Sequence, residues 1–377
     1  MSCGDLPLDH GMGMGAGFDA GRHSLSKIDR DCTMTQDTPF LVTRSSTLPA
    51  GLASPILAIG NFDGIHRGHQ AVIRTAVELA QDRGRPASAL TFDPHPSLYF
   101  APQRPTFALT PLPLKKRLMA HFGLSGAIVL PFDHNLAATT AEEFVDRLLI
   151  GEIGAAGIVI GGDFHFGRGR EGSPDFLSKR AAHHGIPVIM VTAVGDGEDH
   201  NMRVSSTAIR EALARGDISS ANKMLGYRWL VSGTVVHGDK RGRLLGFPTA
   251  NVHLWKDFGL RYGIYAVRVR HADTVFDGVA SFGRRPTFDN GPPLLEVHLF
   301  SFAGNLYDAL IDVEFVAWLR GEERFDDVDA LIAQMNRDSE DARGHIAHPD
   351  AAIPSLIASL AAPDLTDRSA CHSPYSA

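Results

Sequence analysis

The sequence predicts a chain of two domains, an α/β domain with a parallel sheet followed by an antiparallel β-barrel that ends in a helix. From Ile56 to about Tyr227, short apolar runs alternate with segments of helical periodicity, which is typical of strands joined by right-handed helical crossovers. After Tyr227, apolar residues alternate with period two between glycine or proline turns, which is typical of a small barrel. The 377 residues are enough to form two hydrophobic cores.

In the first domain, apolar runs predict five strands, at 56–60, 87–92, 126–130, 157–161 and 187–192. Two helices between these strands carry start signals. Thr140 and Glu143 have the spacing of a capping box, and Ser173 precedes a proline in the first turn of the next helix. We expect this domain to span residues 51–226.

In the second domain, alternation predicts four strands, at 262–270, 274–282, 294–300 and 308–319. A final helix is predicted over about 326–343, because its apolar residues fall on one face. We expect this domain to span 227–348. Residues 349–377 are rich in alanine, proline and serine, and we expect them to form a loose tail.

The composition narrows the class of protein. Hydrophobic residues make up 44% and charged residues 21%, and the net charge of −7 argues against broad nucleic-acid binding. No apolar segment is long enough to span a bilayer. The cysteines are Cys3, Cys32 and Cys371, so the core is expected to hold neither a disulfide nor a thiolate zinc site. This distribution fits a reducing, cytoplasmic location.

The first fifty residues contain scattered glycines and aspartates but no continuous apolar region. They resemble neither a signal peptide nor a transit peptide, for which they are too acidic, and we expect residues 1–50 to be largely disordered. Met34 opens the segment MTQDTPFLVTR shortly before the first predicted strand. We hypothesise that residues 1–33 are dispensable, which deletion and measurement of activity would test.

The segment IGNFDGIHRGH, residues 59–69, joins the first predicted strand of the sheet to the helix after it. Ligands of open α/β sheets bind beyond the carboxyl ends of the strands, and a helix N-terminus there favours phosphate. His66 and His69 are placed to stabilise charge on a phosphoryl group during its transfer. A metal pair would need a further ligand, and a polar loop with incidental histidines is the plainer alternative.

Three further clusters follow strand ends on the same rim: TFDPHP (91–96), GGDFHFGRGREG (161–172) and RVSSTAIREAL (203–213). In the last cluster, hydroxyl side chains at a helix start lie between Arg203 and Arg210, and together they favour a triphosphate. Taken alone, the serine and threonine residues are explained equally well as a helix cap. The coincidence of all these clusters on one rim favours a nucleotide site.

GNFDGIHRGH, GGDFHFGRGREG and RVSSTAIR resemble the FMN adenylyltransferase module of bacterial bifunctional riboflavin kinase/FAD synthetases, which has a Rossmann-like HxGH nucleotidyltransferase fold. The resemblance implies that His66 and His69 are catalytic, and that Asp163 and Phe164 line the flavin site. The nucleotide- and phosphate-binding residues that it implies here are Gly60, Phe62, Arg203, Ser206, Thr207 and Arg210. The attacking group of FMN is already a phosphate, so this transfer needs no general base.

The segment GTVVHGDKRGRLLGFPTAN, residues 233–251, is glycine-rich and basic. Gly238, Gly242 and Gly246 allow a tight loop close to phosphates, although a simple hairpin turn is the plainer interpretation. Its positive charge comes from Lys240, Arg241 and Arg243. GFPTAN resembles the PTAN motif of riboflavin kinases, which implies that Thr249 and Asn251 bind Mg²⁺ and the nucleotide phosphates.

Glu296 lies in LLEVHLF, where Leu295, Val297 and Leu299 share one strand face and Glu296 lies on the other. A solvated strand face would explain this carboxylate equally well. The resemblance to riboflavin kinases implies instead that Glu296 deprotonates the riboflavin 5′-hydroxyl.

The resemblance also implies that Arg337, in the final helix, contacts the flavin. Two positions depart from the family pattern: Ser281 stands where asparagine is common, and Asp308 where glycine is usual.

The resemblance covers about residues 52–345. It implies two reactions in sequence: riboflavin and ATP give FMN and ADP, and FMN and ATP then give FAD and pyrophosphate. Riboflavin, FMN and ATP are the expected partners and Mg²⁺ the expected cofactor, with no nucleic acid or membrane; self-association is compatible with the sequence. One alternative is an HxGH nucleotidyltransferase with a non-catalytic ligand-binding β domain. Another is a non-catalytic RNA- or partner-binding protein, which the acidic balance disfavours.

Overall fold

The computed structural model describes residues 39–103, 106–192, 204–238, 242, 245–255, 258–284, 293–348, 350 and 352–361. The extension 1–33, whose dispensability we predicted, lies outside the described residues.

The first domain is built on a six-stranded sheet in the order β1-β4-β3-β2-β5-β6, and every neighbouring pair is parallel. The strands are β1 (Leu41–Thr43), β2 (Ile56–Ile59), β3 (Ala87–Phe92), β4 (Gly126–Leu130), β5 (Gly157–Gly161) and β6 (Val188–Val191). The predicted Rossmann-like α/β fold is confirmed, and each of the five predicted strands is present. Strands β2 to β5 are almost wholly buried because helices cover both faces of the sheet.

Strand β1 was missed, because it lies within the first fifty residues that we expected to be disordered. It pairs with β4, and the Leu41 N–H donates to the Ser125 carbonyl oxygen at 3.1 Å. A strand of three residues is too short to show a periodic pattern. The sheet therefore begins about ten residues earlier than the boundary at 51 that we predicted.

The helices of this domain lie between the strands as predicted. They are α1 (Arg67–Arg83), α2 (Pro96–Phe100), α3 (Leu112–His121), α4 (His134–Ala138), α5 (Ala141–Glu143, continuing as a π-helix over Phe144–Glu152), α6 (Pro174–Ala182), α7 (Ser206–Arg215) and α8 (Ile218–Leu225). Both predicted start signals are confirmed. Thr140 and Glu143 form a reciprocal capping box, and the Ser173 hydroxyl accepts from the Phe176 N–H at 3.2 Å.

The second domain is a closed antiparallel barrel in the order β10-β11-β8-β7-β12-β9. Its strands are β7 (Leu230–Val236), β8 (Ala250–His253), β9 (Gly263–His271), β10 (Thr274–Gly283), β11 (Leu294–Leu299) and β12 (Leu310–Arg320). The predicted barrel is confirmed, and β9 to β12 match the four predicted strands. Strands β7 and β8 were not predicted separately, because they flank the glycine-rich segment. They pair with each other, so this segment is the connection of a hairpin.

Helix α9 (Val328–Ala347) follows the barrel as predicted, and it packs against strands β9, β10 and β12. The segment after α9 differs from the loose tail that we expected. Ile353, Leu356, Ile357 and Leu360 are buried there, and the Pro354 carbonyl oxygen accepts from the Arg228 N–H at 3.1 Å. These apolar side chains gain stability by covering the barrel, which composition alone did not reveal.

The two domains share an interface of buried groups. The Tyr227 hydroxyl donates to the Gly64 carbonyl oxygen at 2.6 Å, and the Trp229 indole N–H donates to the Leu109 carbonyl oxygen at 3.1 Å. Phe107 of the first domain contacts Phe258 of the second, with ring centroids 5.8 Å apart. In the described part of the chain, none of the helices has the length and apolar character needed to cross a membrane.

Candidate active sites

A cleft of about 1370 Å³ opens beyond the carboxyl ends of the sheet strands. Its lining includes eight of the residues that we predicted for adenylyl transfer: Gly60, Phe62, His66, His69, Asp163, Phe164, Ser206 and Thr207. These residues come from three separate segments of the sequence. The cleft thus brings together the clusters that we expected to share one rim.

His66 and His69 lie where the loop after β2 enters α1. The His66 Nδ1 accepts from the His69 N–H at 3.4 Å, so His66 caps the helix. The two imidazole rings are stacked with their centroids 3.7 Å apart, and Phe62 meets His69 edge-on at 5.3 Å. Two residues apart from glycine, Phe62 and Ile65, have positive φ in this loop. The backbone of the motif is therefore folded tightly enough to present both rings to one cleft.

Burial makes both histidines neutral. It lowers the pKa of His66 to about 4, against a smaller opposing effect of the Asp63 charge. Burial also lowers the pKa of His69, with further contributions from His66 and Lys115. Since the His66 Nδ1 already accepts a hydrogen bond, the proton of its neutral ring lies on Nε2. His66 is thus a neutral N–H donor rather than a cation.

Helix α7 begins at the same cleft. Ser205 caps it by accepting from the Ala208 N–H at 3.2 Å, so the cap interpretation of this segment is also correct. The Ser206 hydroxyl donates to the Asp63 carbonyl oxygen at 2.8 Å. Thr207 is exposed at the cleft, where unpaired N–H groups of the first turn are available to an anion. Arg203 lies outside the described residues.

Arg210 is placed differently from the expected phosphate contact. Its guanidinium forms an ion pair with Asp63, and its Nε donates to the Phe107 carbonyl oxygen at 2.8 Å. The described residues that line the cleft do not include Arg210.

Two basic side chains near the cleft were missed as site residues. Lys115 is buried, and its ammonium group donates to the Asn61 carbonyl oxygen at 2.9 Å. Burial lowers the pKa of Lys115 and lowers that of His95 to about 4. The quoted cluster TFDPHP contained His95, so that residue could have been found. Nothing in the local sequence marked Lys115.

An aromatic group at the cleft mouth was also missed. Tyr99, Phe100 and Phe132 meet edge-to-face, with centroids 5.2 to 5.7 Å apart. Phe100 is 68% exposed, which is unusual for a large apolar side chain. Phe164, which we did predict, stacks on Phe166 at 5.5 Å within the same cleft. The run SLYF after TFDPHP was the available signal.

In the barrel, three polar residues face one another across neighbouring strands. Asn251 on β8 pairs with Glu296 on β11, which pairs in turn with Ser281 on β10. Leu295 and Val297, on either side of Glu296, are fully buried, whereas Glu296 is half-buried. The predicted division of faces on β11 is therefore correct, and it places Glu296 beside the asparagine of the PTAN motif.

Two glycines of the loop make close approaches, and one of these is to Asn251. A Cβ on Gly238 would fall 2.1 Å from the Asn251 amide nitrogen, and one on Gly242 would fall 2.3 Å from the Phe247 carbonyl oxygen. Gly246 has a φ of +86°, which glycine adopts freely. Lys240, Arg241 and Arg243 lie outside the described residues. Gly238 thus lies directly against the Asn251 side chain, where a residue with a side chain would not fit.

The donor set near this loop fits Mg²⁺. Thr249 and Asn251 offer hard oxygen atoms, and Mg²⁺ commonly takes few protein ligands and completes its shell with phosphates and water. No group of three or more histidine, cysteine or carboxylate side chains in the described ranges could hold a metal by itself.

The remaining predicted residues lie on the outside of the barrel. Arg337 is exposed on α9 and donates to the Gln334 side-chain oxygen at 2.6 and 3.0 Å. Asp308, which replaces the usual glycine, has a φ of +63°. Glycine adopts this left-handed conformation freely, which fits the glycine that the resemblance implies at that position.

Comparisons with known proteins identify both halves of the chain. The FAD synthetase family model matches residues 50–208, and the riboflavin kinase family model matches residues 225–346. A solved structure described as a macrolide-efflux protein from Streptococcus pneumoniae has a TM-score of 0.71 and 29% identity, and covers 81% of this chain and 98% of its own. That likeness supports the arrangement of the fold over most of the chain.

Curated relatives agree with the family models. The bifunctional riboflavin kinase/FMN adenylyltransferase of Escherichia coli strain K12 is 39% identical over 289 residues, covering 76% of this chain and 91% of the relative. The protein of that name from Pseudomonas fluorescens is 39% identical over 78% of this chain and 94% of its own, and that from Bacillus subtilis is 35% identical over 77% and 92%. Matching these relatives over nearly their whole length and in both domains, the chain belongs to the family of bifunctional riboflavin kinases and FMN adenylyltransferases.

Proposed function

We propose that the rim of the α/β sheet transfers the adenylyl group of ATP to FMN, and that the barrel phosphorylates riboflavin. The observation that carries the first assignment is the convergence of His66, His69 and the start of α7 on one cleft. The second rests on the pairing of Asn251 with Glu296 on neighbouring strands and on the close approach of Gly238 to Asn251. Each domain then performs one of two consecutive reactions, and the product of the barrel is the substrate of the rim.

In adenylyl transfer, the FMN phosphate attacks the α-phosphorus of ATP and pyrophosphate leaves. No proton has to be removed, so the protein must align two anions and stabilise the charge that develops. The neutral His66 donates its Nε2–H to a phosphoryl oxygen, while the free N–H groups at the start of α7 bind the departing phosphates. Lys115, whose ammonium group donates to the Asn61 carbonyl oxygen, supplies positive charge close to His69.

The flavin ring packs against the aromatic group at the cleft mouth. Phe100 and Phe132 line the cleft, and the largely exposed ring of Phe100 offers an apolar face for an isoalloxazine ring. Asp163 and Phe164 border the same cleft and complete the flavin site. This placement directs the phosphate of FMN toward the histidines.

In riboflavin phosphorylation, Glu296 takes the proton of the riboflavin 5′-hydroxyl as that oxygen attacks the γ-phosphorus of ATP and ADP leaves. Thr249 and Asn251 would hold Mg²⁺ together with the nucleotide phosphates, and the ion would neutralise phosphate charge when bound. Gly238 and Gly242 let the loop backbone approach those phosphates. Arg337 is assigned to flavin contact by family resemblance alone.

The alternative of a non-catalytic β domain is disfavoured by the match of the riboflavin kinase model to residues 225–346. We place both reactions in the cytoplasm, because residues 33–370 contain no cysteine for a stabilising disulfide.

One assay tests both assignments. The purified protein is incubated with riboflavin, ATP and Mg²⁺, and riboflavin, FMN and FAD are separated by chromatography. We expect FMN and FAD to appear in that order. His66→Ala and His69→Ala should each lower FAD formation from supplied FMN by roughly 100- to 1000-fold while FMN formation from riboflavin persists. Parallel loss of both activities in a folded variant would contradict separate sites.

A further inference from the structure

Asp63 lies at the centre of the loop that carries the two histidines, yet nothing so far assigns it a role. Its side chain is only 4% exposed. The carboxylate accepts from the Leu109 N–H at 3.2 Å, and from the Thr110 N–H and hydroxyl at 3.0 and 3.4 Å. These bonds attach the histidine loop to the segment that leads into α3. A carboxylate with this many donors is held in one orientation.

Helix α7 contacts Asp63 at two points. The Ser206 hydroxyl donates to the Asp63 main-chain carbonyl oxygen at 2.8 Å, and one turn later the Arg210 guanidinium pairs with the Asp63 carboxylate. Asp63 and Arg210 are 147 residues apart in the sequence. This double contact therefore joins two distant motifs directly.

Arg210 is itself fixed by a third group. Its Nε donates to the Phe107 carbonyl oxygen at 2.8 Å, and its side chain is only 15% exposed. A guanidinium that points into the cleft to bind phosphate would have to leave both of these partners. Arg210 therefore links α7 to two other segments of the domain, and its guanidinium is not oriented to bind an anion in the cleft.

The polar contacts of α7 away from Asp63 do not involve the histidine loop: the Arg210 Nε donates to the Phe107 carbonyl oxygen, and near the other end the Arg261 N–H donates to the Leu213 carbonyl oxygen at 3.1 Å. Ile209, Ala212 and Leu213 bury its apolar face in the core. Apolar burial is non-directional, so it holds the helix against the sheet but tolerates small shifts along the helix axis. The ion pair and the Ser206 hydrogen bond, in contrast, fix the distance between the start of α7 and the histidine loop.

We propose that Asp63 is a positioning residue for adenylyl transfer, and that its ion pair with Arg210 holds the start of α7 at the working distance from His66 and His69. Arg210 acts through Asp63 and not as a phosphate ligand. An error of about 1 Å in such an alignment can cost roughly 100-fold in rate. The proposal rests on the assignment of adenylyl transfer to the rim.

A double-mutant cycle on the full-length enzyme tests this role. Asp63→Asn, Arg210→Met and the double variant are compared for kcat and the KM for ATP in FAD formation from supplied FMN. Each single variant should lower kcat by roughly 10- to 100-fold, and the double variant should be no worse than the more severe single one. The KM for ATP should change by less than about threefold, since the phosphate ligands themselves remain. Riboflavin phosphorylation serves as the internal measure of folding.

Arg180→Met is the matched control, because Arg180 pairs with Asp146 on the same domain at a partly exposed site. It should leave FAD formation unchanged. If the reductions in kcat of the two single variants multiply in the double variant, the proposal is overturned. A large rise in the KM for ATP confined to Arg210→Met would also overturn it, because Arg210 would then be a phosphate ligand. If Asp63→Asn does not fold, the division between kcat and KM in Arg210→Met alone decides the matter. Retained FAD formation in His66→Ala would instead refute the underlying site assignment.

Discussion

The Asp312 carboxylate on β12 accepts two hydrogen bonds from Arg117 on α3, at 2.9 and 2.7 Å, although the two residues belong to different domains. Arg270 and the Ser232 hydroxyl bind the same carboxylate. Burial alone would raise the pKa of Asp312, but these hydrogen bonds and positive charges outweigh it and hold the pKa below its usual range. The ionised carboxylate therefore joins the two domains through a buried network.

We expect Asp312→Asn to destabilise the protein by about 3–5 kcal/mol, because it leaves two buried arginines without their counter-charge. The free energy of unfolding in denaturant measures this loss. Asp277→Asn is the control, since Asp277 is half exposed and its oxygen lies 3.5 Å from Arg268. It should cost less than about 1 kcal/mol. Equal losses in the two variants would show that the Asp312 network adds no stability.

Arg270 extends the network to the chain that follows α9. Its guanidinium donates to the carbonyl oxygens of Leu360 and Ala361, and Arg117 also donates to Ala361, at 2.8 Å. The segment that we expected to be a loose tail thus contacts a residue from each domain. The expectation failed because it used composition, whereas the order of this segment depends on charged partners far away in the sequence.

The free energy of unfolding should decrease as the pH is lowered through the range in which His66 titrates in the unfolded chain. The pKa of His66 is about 4 in the folded protein, against 6.5 for the unperturbed side chain. Between these values the unfolded state binds a proton that the folded state does not, so stability is full above pH 6.5 and is lost as the pH falls toward 4. By this linkage, the titration of His66 lowers the free energy of unfolding by about 2 kcal/mol at pH 5.

Denaturant unfolding of the wild type and of His66→Asn at pH 7.5 and pH 5 measures this effect. The variant should lose less stability between the two pH values, because asparagine does not titrate. An identical pH dependence in both proteins would show that His66 is not held neutral by burial.

Much of the site was predictable because its signals are local. The spacing of His66 and His69 before an apolar helix, and the alternation around Glu296, both lie within a few residues. The ion pair of Asp63 with Arg210 was not predictable, since the partners are 147 residues apart. The resemblance consequently predicted Arg210 as a phosphate ligand, whereas the positioning role that we propose for it rests on this ion pair. Sequence pattern gives the type of residue at a site, but the partners that orient it are determined by the fold.

Asp308→Gly should stabilise the protein. Asp308 has a φ of +63°, which costs a side-chain-bearing residue about 1 kcal/mol and glycine almost nothing. Its N–H donates to the Val235 carbonyl oxygen at 2.9 Å, and this bond would be kept. We expect a gain of about 0.5 kcal/mol after the greater freedom of glycine in the unfolded chain is subtracted. Thermal unfolding measures it, with Asp308→Ala as the control that should bring no gain.

The barrel should phosphorylate riboflavin without the first domain, and residues 349–361 should decide how stable it is. A fragment of residues 227–361 retains the buried side chains of Leu356 and Leu360, which a fragment ending at 348 lacks. Burying side chains of this size contributes about 1.5–3 kcal/mol each. Both fragments should form FMN from riboflavin, ATP and Mg²⁺, but the longer one should unfold at a higher denaturant concentration. Equal midpoints would mean that the segment stabilises only the contact between domains.

Glu296→Gln in the longer fragment tests the proposed base. The substitution keeps the shape of the side chain beside Asn251 but removes its basicity, so FMN formation should fall by roughly 100-fold or more. In the full-length chain the same change should leave FAD formation from supplied FMN intact, because the FMN phosphate attacks without losing a proton. Glu340→Gln, on the exposed face of α9, is the matched control and should leave both activities unchanged. If Glu296→Gln and the control form FMN at equal rates, the hydroxyl proton goes elsewhere and Glu296 has only a structural role in the strand.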